Sequence, residues 1–243
     1  MHIEAAFRAA PSFDKALDLL AEEIATLGFD AVDYAFMPLA RSRDGGWNAP
    51  EIVSRNFPPH WTRGWSRYSR EDPYLCSCYR RNLPLDWNEV KGAGWLSDTQ
   101  KQAIAFIDDL GFLDGITVPI HLPGGSFAFV SGLSRPRQGV WRAEQDAMKE
   151  KLFVLAHTFH AVVGRQVRIS GRDRSATLSP RESDVLRHAA SGLSAPATAR
   201  VIHRSMETVR HQRKSAMSKL GAHTIAQAVA RAISLGLLDE PSH

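Results

Sequence analysis

Between Val163 and Thr177 the chain reads GRQVRISGRDRSA, with four arginines, two glycines and little that could pack. Such a stretch is expected to be an exposed linker. It divides the 243 residues into a first body over residues 1–164 and a second over residues 177–243, joined by 165–176. The charge divides with them. Residues 165–243 carry 13 Lys and Arg against 6 Asp and Glu, a balance of +7, whereas residues 1–164 carry 17 against 20, a balance of −3. That asymmetry is the footprint of a nucleic-acid-binding module attached to a body that binds none.

At 44% hydrophobic and 23% charged residues, the chain is globular in composition. Its longest apolar run, Leu152 to Val163, is interrupted by His157 and His160 and falls short of the roughly 20 residues of a membrane span. The start, MHIEAAFRAAPSFDK, has no apolar core and reads as no signal peptide, so a cytoplasmic protein without membrane contact is expected. Cys76 and Cys78 form a C-x-C pair with no second cluster to complete a zinc site; reduced, partly buried thiols and no metal are expected.

In the first body, helical periodicity covers Phe13–Leu27 and Asp98–Leu110, and strand-like runs cover Ala31–Met37, Glu51–Asn56, Gly115–Leu122 and Ser126–Leu133. The last two form a hairpin with Gly124-Gly125 near the turn. Pro119 inside a strand predicts an edge or a bulge. A long helix is predicted from Arg142 to Arg165, its stripe of Met148, Leu152, Leu155, Phe159 and Val162 either core or a seam with a second subunit. Hairpins mixed with helices point to an α+β protein, with an N-terminal α/β/α sandwich built on an antiparallel sheet. The strict βαβ alternation and acidic cluster of a phosphoacceptor receiver domain are not present.

The second body reads as four short helices. Ser179, Pro180 and Glu182 make a capping box with proline in the first turn, SGLS stops that helix, and a second runs from Ala195 to Ile202. The third, ETVRHQRKSAMSKL, places Val209, Ala216 and Leu220 on one stripe. Arg210, His211, Lys214 and Ser218 fall on the opposite face, with Arg213 beside the seam. A fourth runs from Thr224 to Leu235. Four such helices are too small for a deep pocket but suffice to fix a recognition helix.

The order L-S-P-R-E, V-L, T-V and K-L-G from Leu178 to Gly221 resembles the LuxR-type helix-turn-helix. That resemblance implies that the third helix enters the major groove, with Arg210, His211 and Lys214 at base edges and Thr208 and Arg213 at the backbone. Gln212 stands where many relatives carry histidine.

Residues 56–75, NFPPHWTRGWSRYSREDPYL, combine aromatic density with an Asp-Pro step. By composition alone this is either a tryptophan core or an aromatic ligand box oriented by Asp72. The spacing Trp61, Asp72-Pro73, Trp87 fifteen beyond the aspartate, and Gly115 before I-T-V-P resembles the acyl-homoserine-lactone sensor domain of the same family. The resemblance covers roughly Ser12 to Leu238. It implies that Trp61 donates its indole N–H to a lactone carbonyl and that Asp72 accepts an amide N–H. It also implies that Ser131 stands near the amide carbonyl and that Trp87 packs over the ring.

The sequence departs from the family at Trp65 and Phe57, where relatives carry tyrosines, and at the seven-residue gap from Trp65 to Asp72. Those bulkier walls favour a short, branched or aromatic acyl group, and regulators resembling this family that answer to non-lactone compounds are the alternative. The implied protein is an activator in quorum sensing. It is expected to bind a small-molecule autoinducer and, as a homodimer, double-stranded DNA bearing an inverted repeat, with RNA polymerase as a further partner. No cofactor is implied. An enzyme would need a nucleophile with its base, or a metal cluster; there is no G-x-S-x-G, and His157 and His160 lack a third ligand.

Overall fold

The computed structural model describes residues 2–38, 40, 46–122, 125–135, 140–170, 178–234 and 237–238. Two compact units divide the chain near Ser170, and each is described by itself.

The first unit opens with α1 (His2–Ala9) and α2 (Phe13–Thr26). Ser12 caps α2 by accepting from the Lys15 amide, and Leu17, Leu20 and Ile24 form its buried stripe. Strand β1 (Ala31–Met37) and strand β2 (Glu51–Arg55) follow, then the short helices α3 (Trp61–Trp65) and α4 (Pro73–Cys78). Next come β3 (Leu85–Asp86), helix α5 (Asp98–Asp109), the hairpin β4 (Asp114–His121) and β5 (Phe127–Ser134), and the long α6 (Val140–Ser170). The five strands lie in the order β2-β1-β5-β4-β3, every neighbouring pair antiparallel.

Period-two alternation sorts the strand side chains into two layers. Val32, Tyr34, Phe36, Ile116, Val118, Ile120, Ala128 and Val130 pack with α1, α2 and α6 in one apolar cluster. Ala31, Ala35, Met37, Phe127, Phe129 and Leu133 face the other way, into a cluster with Trp61, Trp65, Tyr74, Trp87, Ile107 and Phe112. The sheet is therefore sandwiched between helical layers, as predicted. β3 meets β4 only at Ile116 and Thr117, so among the described residues Pro119 pairs on the β5 side alone, the edge a proline requires. Gly125 in the hairpin turn has φ 78°, a region that disfavours side chains; Gly124 lies outside the described residues.

α6 departs from expectation. Residues 165–170, assigned to the linker, continue the helix to Ser170, and 171–177 lie outside the described residues. Gly164 is not a stop: a Cβ there would come within 2.6 Å of the His160 ring. The missing side chain seats that ring, and its Nδ1 lies 2.8 Å from the Tyr34 hydroxyl. Met148, Leu152, Leu155 and Phe159 are buried against the sheet, with Val162 beside them, so the stripe is core.

The second unit holds α7 (Pro180–Ala190), α8 (Ala195–Val201), α9 (Met206–Lys219) and α10 (Ile225–Ser234). Ser179, Ser194 and Ser205 cap the first three, Ser179 in a full capping box with Glu182. Leu186, Ala216, Leu220, Ala228 and Ala232 form one small core, and Val185, Ala199 and Val209 another. Glu182 does more than cap. It accepts from Ser215 (2.7 Å) and Lys219 (2.7 Å) on α9, while burial opposes its charge; the bonds from Lys219 and Ser179 prevail and hold its carboxyl at about 2. Since that value is depressed, the stabilisation is present above the unfolded value and is lost as pH falls through the folded one. Glu182→Gln is expected to cost roughly 1.5–3 kcal/mol, the scale of hydrogen bonds to a charged group, read as a lower melting temperature at neutral pH.

Candidate functional site

Five of the six side chains expected around a ligand converge on one cavity. Trp61 and Trp65 come from α3, Asp72 from the start of α4, Trp87 from the turn after β3, and Ser131 from β5. Phe57 does not line it. Instead it stacks behind Trp61, centroids 4.2 Å apart at 24°, and against Phe112 at 5.1 Å, so it braces the wall. The enclosed free space is about 20 Å³, room for about one water; an acyl amide enters only as these side chains move apart.

Local sequence explains each position. Asp72 is the N-cap of α4, its Oδ1 accepting from the Tyr74 amide at 2.8 Å, with Pro73 in the first turn. Trp87 stacks on Tyr74, centroids 4.0 Å apart at 12°. It can do so because Gly115 lies beneath: a Cβ there would meet the Trp87 ring at 2.5 Å. The glycine before I-T-V-P is thus a seat for the tryptophan.

Two of these polar groups already have partners within the protein. The Trp61 indole already donates to Ser54 Oγ on β2 at 2.8 Å, so a ligand carbonyl would have to displace that hydroxyl. Ser131 Oγ accepts from Thr117 Oγ1 at 3.0 Å, and Thr117 Oγ1 accepts from Trp87 Nε1 at 2.8 Å. Ser54, Tyr74 and Thr117 were not singled out from sequence.

On the second unit, α9 exposes Thr208, Arg210, His211 and Lys214 on one side while burying Val209 and Ala216 on the other. The Arg210–Glu207 pair is loose, 4.0 Å, and exposed, a contact of small energy. Arg213, expected at the DNA backbone, is turned inward: one terminal nitrogen donates to Leu193 O at 2.7 Å and Thr198 Oγ1 at 3.1 Å. Burial lowers its pKa. It ties α9 to the start of α8, and Gln212 beside it is half-buried.

The autoinducer binding domain family matches residues 12–163, and the family of bacterial regulatory proteins of the luxR type matches residues 176–232. The chain belongs to the LuxR family of autoinducer-binding transcriptional regulators. It is similar to the transcriptional activator protein AhyR of Aeromonas hydrophila, 24% identical over 96% of this chain and 89% of that one. It is also similar to the quorum sensing-dependent regulator RpaR of Rhodopseudomonas palustris, 27% identical over 88% and 85%. The crystal structure of Escherichia coli SdiA shares the fold, with a TM-score of 0.74 at 18% identity, covering 98% of this chain and 97% of that one. This LuxR-type protein therefore takes a small-molecule autoinducer as ligand and contacts DNA through its helix-turn-helix. Among the described residues no helix is long and apolar enough to cross a membrane.

A further lining residue that the sequence reading did not single out carries a titratable charge. Asp33 is the single ionisable acid in β1, AVDYAFM, a strand buried along its whole length, and it faces the cavity. Burial pushes its carboxyl from 3.8 up to about 7, hydrogen bonding from the Ser131 side chain partly opposing this and the Asp72 charge adding to it. Burial likewise raises Asp72 from 3.8 to about 6, against bonds from the Leu75 and Tyr74 amides. A carboxyl whose folded pKa exceeds its unfolded one withdraws stability as pH rises above the unfolded value, until the folded value is passed. The melting temperature of the first unit should therefore fall between about pH 4 and pH 7, from the unfolded to the folded value of Asp33, and Asp33→Asn should flatten much of that slope. A wild-type profile that rises or stays level over the window contradicts this assignment.

Proposed function

We propose that this LuxR-type activator binds an N-acyl-homoserine lactone in the cavity bounded by Trp61, Trp65, Asp72, Trp87 and Ser131, and that the liganded form binds an inverted-repeat promoter as a homodimer. The observation that carries the reading is the convergence of an aromatic wall and the Asp72 carboxyl on one enclosed, largely apolar site, the composition expected of small-molecule pockets. Asp72 accepts the ligand amide N–H, a charge-assisted bond in a dry environment. Trp61 offers its indole N–H to the lactone carbonyl in exchange for Ser54, and Trp87 covers the ring. Trp65 narrows the acyl end, which favours short, branched or aromatic acyl groups.

Ligand burial completes the second layer of the sandwich and stabilises the folded sensor by mass action. In this reading residues 1–164 sense, residues 165–176 connect, with α6 carrying the chain to Ser170, and residues 177–243 read DNA. Two copies of α9 then reach successive major grooves, one or more helical turns apart. Arg210, His211 and Lys214 face base edges, Thr208 faces phosphate, and RNA polymerase is the partner recruited at the promoter. Arg213 acts from within, by fixing the angle of α9.

The test is the melting temperature of the purified chain against straight-chain, 3-oxo, branched and aryl homoserine lactones. Stabilisation by a short, branched or aryl compound supports the reading; a flat response across the panel contradicts it. Asp72→Asn retains a good N-cap residue and is expected to weaken that stabilisation while leaving DNA binding by the helix-turn-helix unchanged. Arg210→Ala should spare ligand binding and cost roughly 1–3 kcal/mol of base discrimination. Arg213→Ala, by contrast, should lower the melting temperature of the second unit.

A further inference from the structure

Two buried polar atoms that line the cavity have no hydrogen-bond partner: Asp33 Oδ1 and the Tyr74 hydroxyl. Such groups are costly to bury, and native structures leave few of them unexplained. Asp33 is 8% exposed, Tyr74 3% and Asp72 5%, so bulk solvent does not satisfy them.

The hydroxyl row beside Asp33 runs in one direction. Asp33 is the register partner of Ser131, and Ser131 that of Thr117, across three adjacent strands. Trp87 Nε1 donates to Thr117 Oγ1, and the Thr117 hydrogen goes to Ser131 Oγ. The Ser131 hydrogen is thereby directed at the Asp33 carboxyl, the interaction that favours its charged form. Every hydroxyl hydrogen in the row is spent, so this wall offers a ligand acceptors and no donor. It suits a ligand N–H, and it does not suit the amide carbonyl expected near Ser131.

Among the described residues the lining holds two carboxyls, Asp33 and Asp72, and no lysine, arginine or histidine. Its other walls include the aromatic side chains of Trp61, Trp65, Tyr74 and Trp87. Paired carboxyls under aromatic faces attract an organic cation, through ion pairing and through the ring quadrupoles. A neutral hydroxyl would satisfy Oδ1 but leave the carboxylate charge, which burial and then Asp72 disfavour, uncompensated.

We propose that the ligand carries a second, basic nitrogen besides its amide, and that Asp33 is the specificity-determining residue that receives its ammonium N–H. The inference rests on the reading of this cavity as the sensor site and names the chemical class of its ligand: an amide bearing a protonated amine. Asp72 takes the amide N–H, Asp33 Oδ1 takes the ammonium, and the aromatic faces cover the cation.

The experiment is calorimetric titration of the full-length chain with N-hexanoyl-homoserine lactone and its 2-amino, 3-amino and 6-amino counterparts. At least one amine is expected to bind about tenfold or more tightly than the parent, the scale of one charge-assisted bond. Asp33→Leu should abolish that preference and tighten the parent. Asp33→Asn, which keeps the shape, should abolish it too, and serves where the leucine variant does not fold. Parent binding that equals or exceeds all three amines overturns the inference and leaves the lactone-sensor reading standing. Binding of none of the four overturns both.

Discussion

Asp33, Ser131 and Thr117 sit side by side on three neighbouring strands, on the face of the sheet that also carries the tryptophans. The rest of the sensor is arranged around that row. Alternation along β1, β5 and β4 sends every second side chain into the helical layer and leaves the others to this face. A polar row there is tolerable only under cover, because water would otherwise open the layer and dry burial leaves its acceptors short of donors. Trp87 supplies one donor from above, and it reaches Thr117 because Gly115 gives it room. The fold and the binding chemistry thus share the same atoms, and a ligand that satisfies the row also closes the layer.

The DNA-reading unit solves a different problem with similar means. Its two small apolar cores cannot by themselves fix the direction of α9. Polar groups along its middle and last turn do so: Glu182 reaches from α7 to Ser215 and Lys219, and Arg213 reaches from α9 to Leu193 and Thr198. Both are charged, both point inward, and each holds a neighbouring helix. The cations left on the outer face, Arg210 and Lys214, have at most a loose intramolecular partner in Glu207, which suits a surface meant for phosphates and base edges.

Much of this was legible in the residues. β1 was bounded as observed, a short and mostly apolar run between Asp30 and Pro38. Trp61, Trp65, Asp72, Trp87 and Ser131 were singled out through the resemblance to the lactone-sensor family, and they do converge. What escaped was what depends on neighbours in space. Arg213 looks like its cationic neighbours along the helix, and only the position of Leu193 and Thr198 turns it inward. The reading of residues 165–170 as linker missed the continuation of α6 to Ser170. Phe57 has the right type and spacing for a ligand contact but stands one layer back, behind Trp61. Asp33 carried a usable signal: a lone acid in the middle of an apolar strand is a polar group that something must satisfy.

The central claim is that one signal molecule completes the aromatic face of the sheet at the polar row. Amide hydrogen exchange of the full-length chain, with and without the compound that most raises its melting temperature, tests this directly. Added protection is expected to concentrate in β1, in residues 61–78 and in the β4–β5 hairpin, which together build the site. Protection confined to α1, α2 and the first half of α6, with these segments unchanged, would place the ligand on the opposite face of the sheet and contradict it.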